Sequence, residues 1–359
     1  MKFLGLIRKK FLGIDVGTST IKLVELSSWA GRRKLENYGE ISASVLYKKP
    51  FRTFEKNTLL LSTDDISRAI KAIIQEAGIK SRKVVFSIPD FSSFFTSLEL
   101  PPMTPAEIPQ AVRAEARRHV PLPLGEVVLD WEIIKDFPKK KPEKLKVLLV
   151  AVPNEVINQY QKIAKNLELE LLAMEAEVFG LIRALVNSDD REVISLVDIG
   201  TRSTTCSIID RRALKVSRSF DISGNDLIER VSKGLSVDYE TAEKIKNKYG
   251  ISSSTLSTEE SNVRDILVPL IDLIVREINK ILTNFYLNEK KEVKKIILSG
   301  GVVLLPGLLK YFQDYFQKQE IEIANPFSKI YFPPILDEKL AKMGPSYAIA
   351  VGAALRGLE

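Results

Sequence analysis

An α/β fold of two related halves around a cleft is what this 359-residue sequence predicts. Three observations predict it. The loop Asp15-Val16-Gly17-Thr18-Ser19-Thr20 returns as Asp198-Ile199-Gly200-Thr201-Arg202-Ser203-Thr204. Both copies lie between an apolar run and a β-prone run, Phe11–Ile14 and Ile21–Leu26 for the first, Val193–Val197 and Thr205–Ile209 for the second. The aspartates are 198 − 15 = 183 residues apart, too far for a solenoid or propeller repeat and suited to two related domains in one chain.

The elements follow in order. Residues 11–47 read as three strands, Leu12–Asp15, Ile21–Leu26 and about Leu35–Ala43, separated by Gly and Ser. Leu46–Leu61 is irregular. Thr63-Asp64-Asp65 supplies an N-cap for a helix over Ile66–Glu76, apolar at Ile66, Ala69, Ile70 and Ile73 and stopped by Gly78. Val84–Ile88 is a buried strand closed by Pro89. Residues 91–168 change character. A strand, Phe94–Leu100, runs into a proline-rich turn, and a helix over Ala106–His119 follows, with Thr104 as cap, Pro105 at its first position and Glu107 three residues after the cap. Strands Val127–Ile134 and Leu145–Val152 flank the basic hairpin tip Pro138–Pro142, and a second helix covers Glu155–Leu167. The block reads as an insertion into a larger domain.

Beyond it, Leu171–Glu175 reads as a strand and Val178–Val186 as a helix. Strands Val193–Asp198, Thr204–Asp210 and Leu214–Phe220 repeat the opening meander. Helices over Gly224–Gly234, Asp238–Lys248 and Val263–Tyr286 come next, the last preceded by a Ser/Thr-rich loop, Ile251–Ser261. Val293–Leu298 is a strand. Gly300-Gly301 turns toward a helix near Gly307–Gln317, Pro326–Pro334 is irregular, and Tyr347–Leu355 is an apolar closing helix.

Composition narrows the function classes. With 45% hydrophobic and 28% charged residues the chain has an ordinary globular composition. No apolar run reaches the roughly 18–20 residues of a membrane span. Met1–Phe11 lacks the h-region and cleavage site of a signal peptide. Its Phe3, Leu4, Leu6 and Ile7, mixed with Lys2, Arg8, Lys9 and Lys10, read as a basic tail rather than a membrane-touching segment, being short and broken by Gly5. A single cysteine, Cys206, excludes an intrachain disulfide and fits a reducing compartment. The net charge of +7 is spread along the chain apart from Lys139-Lys140-Lys141, so a solvated basic surface is expected and no nucleic-acid partner. The lone histidine, His119, leaves no material for a histidine-built zinc site or a serine–histidine triad.

The duplicated loop carries the chemistry. Glycine lets backbone approach a phosphate, and hydroxyls and turn N–H groups donate to its oxygens. An aspartate cannot hold phosphate directly, but it can hold a hydrated Mg²⁺ that bridges the two. A type I′ hairpin turn explains one Asp-x-Gly equally well; two copies in matching places favour the phosphate reading. Leu298-Ser299-Gly300-Gly301 is a third element, a strand ending in small residues against which a base or ribose can lie.

The order of these motifs resembles the ATPase superfamily of actin and the sugar kinases. The resemblance implies an actin-like ATPase fold, two duplicated α/β halves around a nucleotide cleft, with ATP and Mg²⁺ as cofactors. Gly17, Thr18, Ser19, Thr20 and Lys22 would hold one side of the phosphate tail, and Gly200, Thr201, Ser203 and Thr204 the other. Asp15 and Asp198 would position the metal through water, and Glu177, on a first connecting helix, would orient the attacking water. Glu243, Lys246, Ser299, Gly300 and Gly301 would line the adenosine, with Tyr347–Ala354 as second connecting helix. Three departures stand. No proline follows Glu177, which leaves Glu175 or Glu177 open as the water-orienting residue. Val302-Val303 replace small residues. Arg202 either neutralises phosphate or faces solvent.

Within that superfamily, Leu98-Glu99-Leu100-Pro101-Pro102-Met103, Glu107, Glu115-Ala116, Val120-Pro121-Leu122-Pro123-Leu124 and Val128-Leu129-Asp130-Trp131 resemble the PilM family of type IV pilus assembly proteins. There, as in the cell-division protein FtsA, an inserted strand–helix–strand–strand subdomain of SHS2 type (1C) replaces subdomain 1B of actin. The sequence ends at Glu359 after the second connecting helix, so the C-terminal membrane helix of FtsA and the span of GspL are not expected. The implied domains are 1A (1–90, 169–190 and 346–359), 1C (91–168), 2A (191–224 and 290–345) and 2B (225–289). The implied role is cytoplasmic, on the inner face of the inner membrane, binding the short N-terminal tail of a PilN-type partner, with other pilus proteins and self-association as further contacts. A filament-forming FtsA-like homologue is the alternative. Slow Mg-dependent ATP hydrolysis and use of ATP as a conformational ligand both remain open. A small-molecule kinase would need a base in a sugar pocket, for which no motif is found.

Overall fold

The computed structural model describes residues 9–42, 62–134, 144–252 and 258–359. The irregular stretch Leu46–Leu61, the basic tip Pro138–Pro142, the start ahead of Lys9 and the middle of the loop Ile251–Ser261 lie outside them.

The chain opens with the meander β1 (Lys9–Val16), β2 (Thr20–Trp29) and β3 (Arg32–Ser42), then α1 (Thr63–Glu76) and β4 (Lys83–Ile88). A 3₁₀ turn, Asp90–Ser92, leads into the insert: β5 (Phe94–Leu100), α2 (Ile108–His119), β6 (Val127–Ile133) and β7 (Leu145–Pro153). Then come α3 (Asn154–Asn166), β8 (Glu170–Ala176) and α4 (Glu177–Leu185). The second half runs β9 (Val193–Ile199), β10 (Thr204–Asp210), β11 (Ala213–Phe220), α5 (Gly224–Leu235), α6 (Tyr239–Tyr249), α7 (Thr258–Glu289), β12 (Val293–Ser299), α8 (Leu308–Tyr315) and β13 (Glu320–Ile323). The chain closes with α9 (Asp337–Leu358).

The duplication is a duplication of topology. One sheet has the order β3-β2-β1-β4-β8 and the other β11-β10-β9-β12-β13. In each, an antiparallel three-strand meander is extended by two parallel strands. Asp15 and Asp198 are each the last residue but one of the first strand, so both loops leave their sheets at the same corner.

Apolar periodicity decides which faces are covered. Ile66, Ile70 and Ile73 of α1, with Tyr160 and Ile163 of α3, pack on Leu12, Ile14, Leu23, Val84 and Phe86 of the first sheet. The Tyr160 ring meets Phe86 edge-on at 5.5 Å. So α3, which the sequence groups with the insert, belongs to the core of the first half. The insert keeps its own core: Leu98, Leu100, Ile108, Val112, Ala116, Val147 and Leu149 join α2 to the sheet β5-β7-β6. On the second sheet, Leu227, Val231, Ile271, Ile274, Ile278 and Phe312 form the largest cluster. Between the sheets lie α4 and α9. Tyr347, Ala350, Val351 and Ala354 face the first sheet, while Ala348 and Ile349 join Val178, Leu181 and Ile182 against the second. The two helices cross at Gly180 and Gly352, where a Cβ on Gly352 would stand 2.0 Å from the Gly180 carbonyl oxygen.

Several boundaries differ from the sequence reading for local reasons. Helix α2 starts at Ile108, not Ala106, with Pro109 rather than Pro105 in its first turn. The Glu107 carboxylate instead accepts the Thr104 N–H at 2.7 Å, closing a turn ahead of the helix. Pro345 makes α9 look as if it starts at Tyr347, yet the helix runs through it from Asp337. Strand β13, with its two glutamates, carries too little apolar pattern to be read alone and exists because β12 pairs with it.

Candidate functional site

The two sheet corners face each other across a cleft of ≈ 340 Å³, within the range of small-molecule sites. Ser19 Oγ of the first loop and Thr201 Oγ1 of the second meet at 2.6 Å. Asp15, Gly17, Thr18, Ser19, Thr20 and Lys22 line one wall, and Asp198, Gly200, Thr201 and Ser203 the other. Glu177, at the first position of α4, closes the floor, and Glu243, Lys246, Gly300 and Gly301 line the far end. Two expected residues turn away. Thr204 is fully buried, its hydroxyl donating to the Ile222 carbonyl at 2.6 Å. Ser299 is also buried, its hydroxyl donating to Asp198 Oδ1 at 2.7 Å.

That last bond has a twin. Ser87 Oγ donates to Asp15 Oδ1 at 3.1 Å. Ser87 lies on β4 and Ser299 on β12, the equivalent strands beside the two aspartates. Each aspartate is thus held by a serine of its parallel neighbour strand, and aligning the two halves strand by strand was the signal that could have found Ser87.

The carboxylates are crowded. Burial pushes the Asp15 carboxyl above its usual range against the pull of Lys22 and Ser87. Burial also raises Asp198, with Asp15 adding to it while Ser299 and Lys22 oppose. Glu177 is pushed well up by burial, then by Asp90, Asp15 and Asp198. A fourth acid, Asp90, was not foreseen. It is buried, and that burial is the main cause that lifts its pKa to about 7. Its Oδ1 accepts the Val178 N–H at 3.3 Å and its own N–H donates to Glu177 Oε2 at 3.0 Å, so it fixes the start of α4. Four acids facing one another, with Lys22 the only basic side chain among the described residues that offsets both Asp15 and Asp198, is an arrangement a divalent cation relieves. Among the described residues no three potential ligands converge closely enough to coordinate an ion directly. The donor set therefore suits a hydrated Mg²⁺, which keeps most of its waters.

Glu175 and Glu177 differ in position. Arg183 engages Glu175 through both oxygens, at 2.5 and 2.9 Å, and Glu177 alone faces the cleft. Arg202 lines the cleft too and stacks over the Phe91 ring, 4.5 Å from its centroid. At Gly300 the backbone has φ +94°, and a Cβ would stand 2.4 Å from the Ile199 carbonyl oxygen. Further lining residues have no sequence motif: Asn225, whose N–H donates to the Thr201 carbonyl at 2.9 Å, and Tyr239, whose hydroxyl donates to Asn225 Oδ1 at 2.5 Å.

Known proteins share this frame. The family model described as type IV pilus assembly protein PilM matches residues 13–358. A solved structure, the "PilM-PilN type IV pilus biogenesis complex", superposes with a TM-score of 0.83 at 24% identity, covering 98% of this chain and 100% of that one. MreB5 of Spiroplasma citri bound to AMPPNP superposes with a TM-score of 0.54 at 14% identity, over 97% of this chain and 95% of that one. Cell division protein FtsA of Enterococcus faecalis is 20% identical over 344 residues, 86% of this chain and 77% of its own. The fold is therefore the actin-like ATPase fold. Among the described residues no helix is long and apolar enough to cross a membrane.

Proposed function

The chain belongs to the PilM family of type IV pilus assembly proteins, and from that premise we propose that it binds ATP with Mg²⁺ in the cleft and presents a nucleotide-dependent surface to a PilN-type partner. The observation that carries the proposal is the cleft itself: two equivalent loops, one from each half, within hydroxyl contact of each other. A phosphate tail between them would take up the hydroxyls of Thr18, Ser19, Thr20, Thr201 and Ser203. Asp15 and Asp198 would hold the hydrated metal, which supplies charge neutralisation at the phosphates. Glu177 would orient a water, and its raised pKa would fall once a cation enters.

The path from cleft to partner is short. Asp90 touches Glu177 and α4, Phe91 lies under Arg202 of the second loop, and β5 of the insert begins at Phe94. Three consecutive residues, Pro89 to Phe91, thus tie the phosphate loops to the inserted subdomain. The neighbour seen as a PilM–PilN complex supports a PilN-type partner; the ligand would be the short cytoplasmic tail of such a protein, in the groove between the insert and domain 1A. Such a partner would hold the chain on the cytoplasmic face of the inner membrane.

Calorimetry tests both steps. Mg-ATP should bind the full chain and bind Asp15→Ala roughly a hundredfold more weakly, and the affinity for a PilN-type tail peptide should differ with and without Mg-ATP. Unchanged ATP affinity in Asp15→Ala overturns the cleft assignment; equal peptide affinity in both states overturns the coupling. The FtsA relatives favour a second reading, ATP-dependent self-association, which pelleting with Mg-ATP but without the peptide would reveal.

A further inference from the structure

The far end of the first sheet carries an unassigned surface. Strand β2 runs from Thr20 at the phosphate loop to Trp29, roughly 30 Å away at 3.3 Å per residue. There the chain reverses through Ala30 and Gly31, both at positive φ (50° and 76°), the tight turn whose twist matches a hairpin. Trp29 is 55% exposed at the tip and pairs with Arg32 across it. Beside the hairpin, residue 331 is stitched to the β3 edge: the Leu35 N–H donates to the Tyr331 carbonyl and the Tyr331 N–H to the Arg33 carbonyl, both at 2.9 Å. Tyr331 itself is 66% exposed. Two aromatic residues are therefore anchored by backbone pairing at one end of the sheet.

Between and around them are cations. Trp29, Arg32, Arg33, Lys34, Lys329 and Tyr331 line one surface basin, and among the described residues no carboxylate lines it. Lys34 pairs with Glu36 at 3.5 Å and Lys329 with Asn187. Among the described residues no carboxylate lies at ion-pair distance from Arg32 or Arg33. Lys9, opposite Ser28 in the β1–β2 ladder, adds a charge at the same end of the sheet.

From this placement we propose that the Trp29 hairpin and Tyr331 form a direct contact site for an anionic bilayer surface. Tryptophan and tyrosine settle at the water–lipid boundary, where one end of the ring is apolar and the other wet. Lysine and arginine beside them are drawn to anionic headgroups. A single-stranded polynucleotide would also use aromatic rings and arginines, but it needs a basic groove that tracks its backbone. Here the rings and cations are confined to one hairpin end and the strand edge beside it. The contact goes beyond the partner tail: it gives the chain its own grip on the bilayer, at the sheet end opposite the nucleotide loops.

The chain has two tryptophans, so the full chain carrying Trp131→Phe reports on Trp29 alone. Its emission should shift to the blue, and the protein should pellet, with vesicles of mixed phosphatidylcholine and phosphatidylglycerol but not with phosphatidylcholine alone, and added salt should reverse both. Arg32→Gln with Arg33→Gln should lower partitioning roughly thirtyfold, the effect of removing two cations near an anionic surface. Trp29→Ala should weaken pelleting with an unchanged melting curve, since the side chain is exposed. No blue shift on anionic vesicles, or equal partitioning of the double arginine variant, overturns the proposal. So does Trp29 quenching by single-stranded polynucleotide without any response to vesicles, which would reassign the surface to nucleic acid.

Discussion

The two halves share a frame and diverge just beyond it. In both, an aspartate one residue from the end of a central strand is gripped by a serine from the parallel strand beside it, Ser87 for Asp15 and Ser299 for Asp198. After Ser87 the chain continues Ile88-Pro89-Asp90 into the insert; after Ser299 it continues Gly300-Gly301 toward α8. One half therefore adds a buried carboxylate and a link to the inserted subdomain. The other adds bare backbone against which an adenosine can lie. On the proposed function, the matched part would set where phosphate and metal sit, and the unmatched part would divide the labour between partner coupling and base recognition.

If that division is right, the largest effects come from the matched pair. Asp15→Ala and Asp198→Ala should each weaken Mg-ATP binding by roughly a hundredfold, the upper range for groups that orient a bound metal, measured by calorimetry. A large loss in one and none in the other would break the equivalence of the halves. Next come the glycines after Ser299. Gly300→Ala should lower stability by about 2 kcal/mol or more, because the residue is held at positive φ against a carbonyl. At Gly301 a Cβ meets nothing within 4 Å, so Gly301→Ala should leave the melting temperature unchanged and weaken adenosine nucleotides alone. Thermal melting beside calorimetry separates the two.

The matched part was also the legible part. Asp15 and Asp198 announce themselves because phosphate loops need glycine and hydroxyls at fixed spacing on a strand end. The unmatched part was not. Asp90 comes after an ordinary buried strand and a proline, and nothing local shows that its carboxylate will meet α4, which starts at residue 177, or reveals the pressure of Asp198. Thr204 and Ser299 fit the motifs by type, but strand alternation turns their side chains into the protein. Tertiary packing likewise moved α3 from the insert to the first sheet, since its apolar stripe suits either.

Smaller effects sharpen the contrast. Ser87→Ala and Ser299→Ala should each cost about tenfold in Mg-ATP affinity, the scale of one hydrogen bond to a charged group; unequal losses would show that one half dominates. At Asp90 the folded pKa of about 7 stands above the ordinary 3.8. The folded chain then holds the proton more tightly, so the stability present at low pH is lost as pH rises through about 7. Asp90→Asn, which keeps an acceptor for the Val178 N–H, should melt several degrees higher than the parent at pH 8 and alike at pH 4. The opposite pH order would place the strain elsewhere.

The smallest effect concerns the point where the halves touch. Ser19 and Thr201 share one hydrogen bond, worth about 1 kcal/mol or less for two half-exposed hydroxyls. A double-mutant cycle with Ser19→Ala and Thr201→Val, read by thermal melting, should show coupling of that size without nucleotide. With saturating Mg-ATP the coupling should vanish, because each hydroxyl then has phosphate oxygens to donate to and no longer depends on the other. Coupling that persists unchanged would mean that the loops meet for structural reasons and that the phosphate tail lies elsewhere in the cleft.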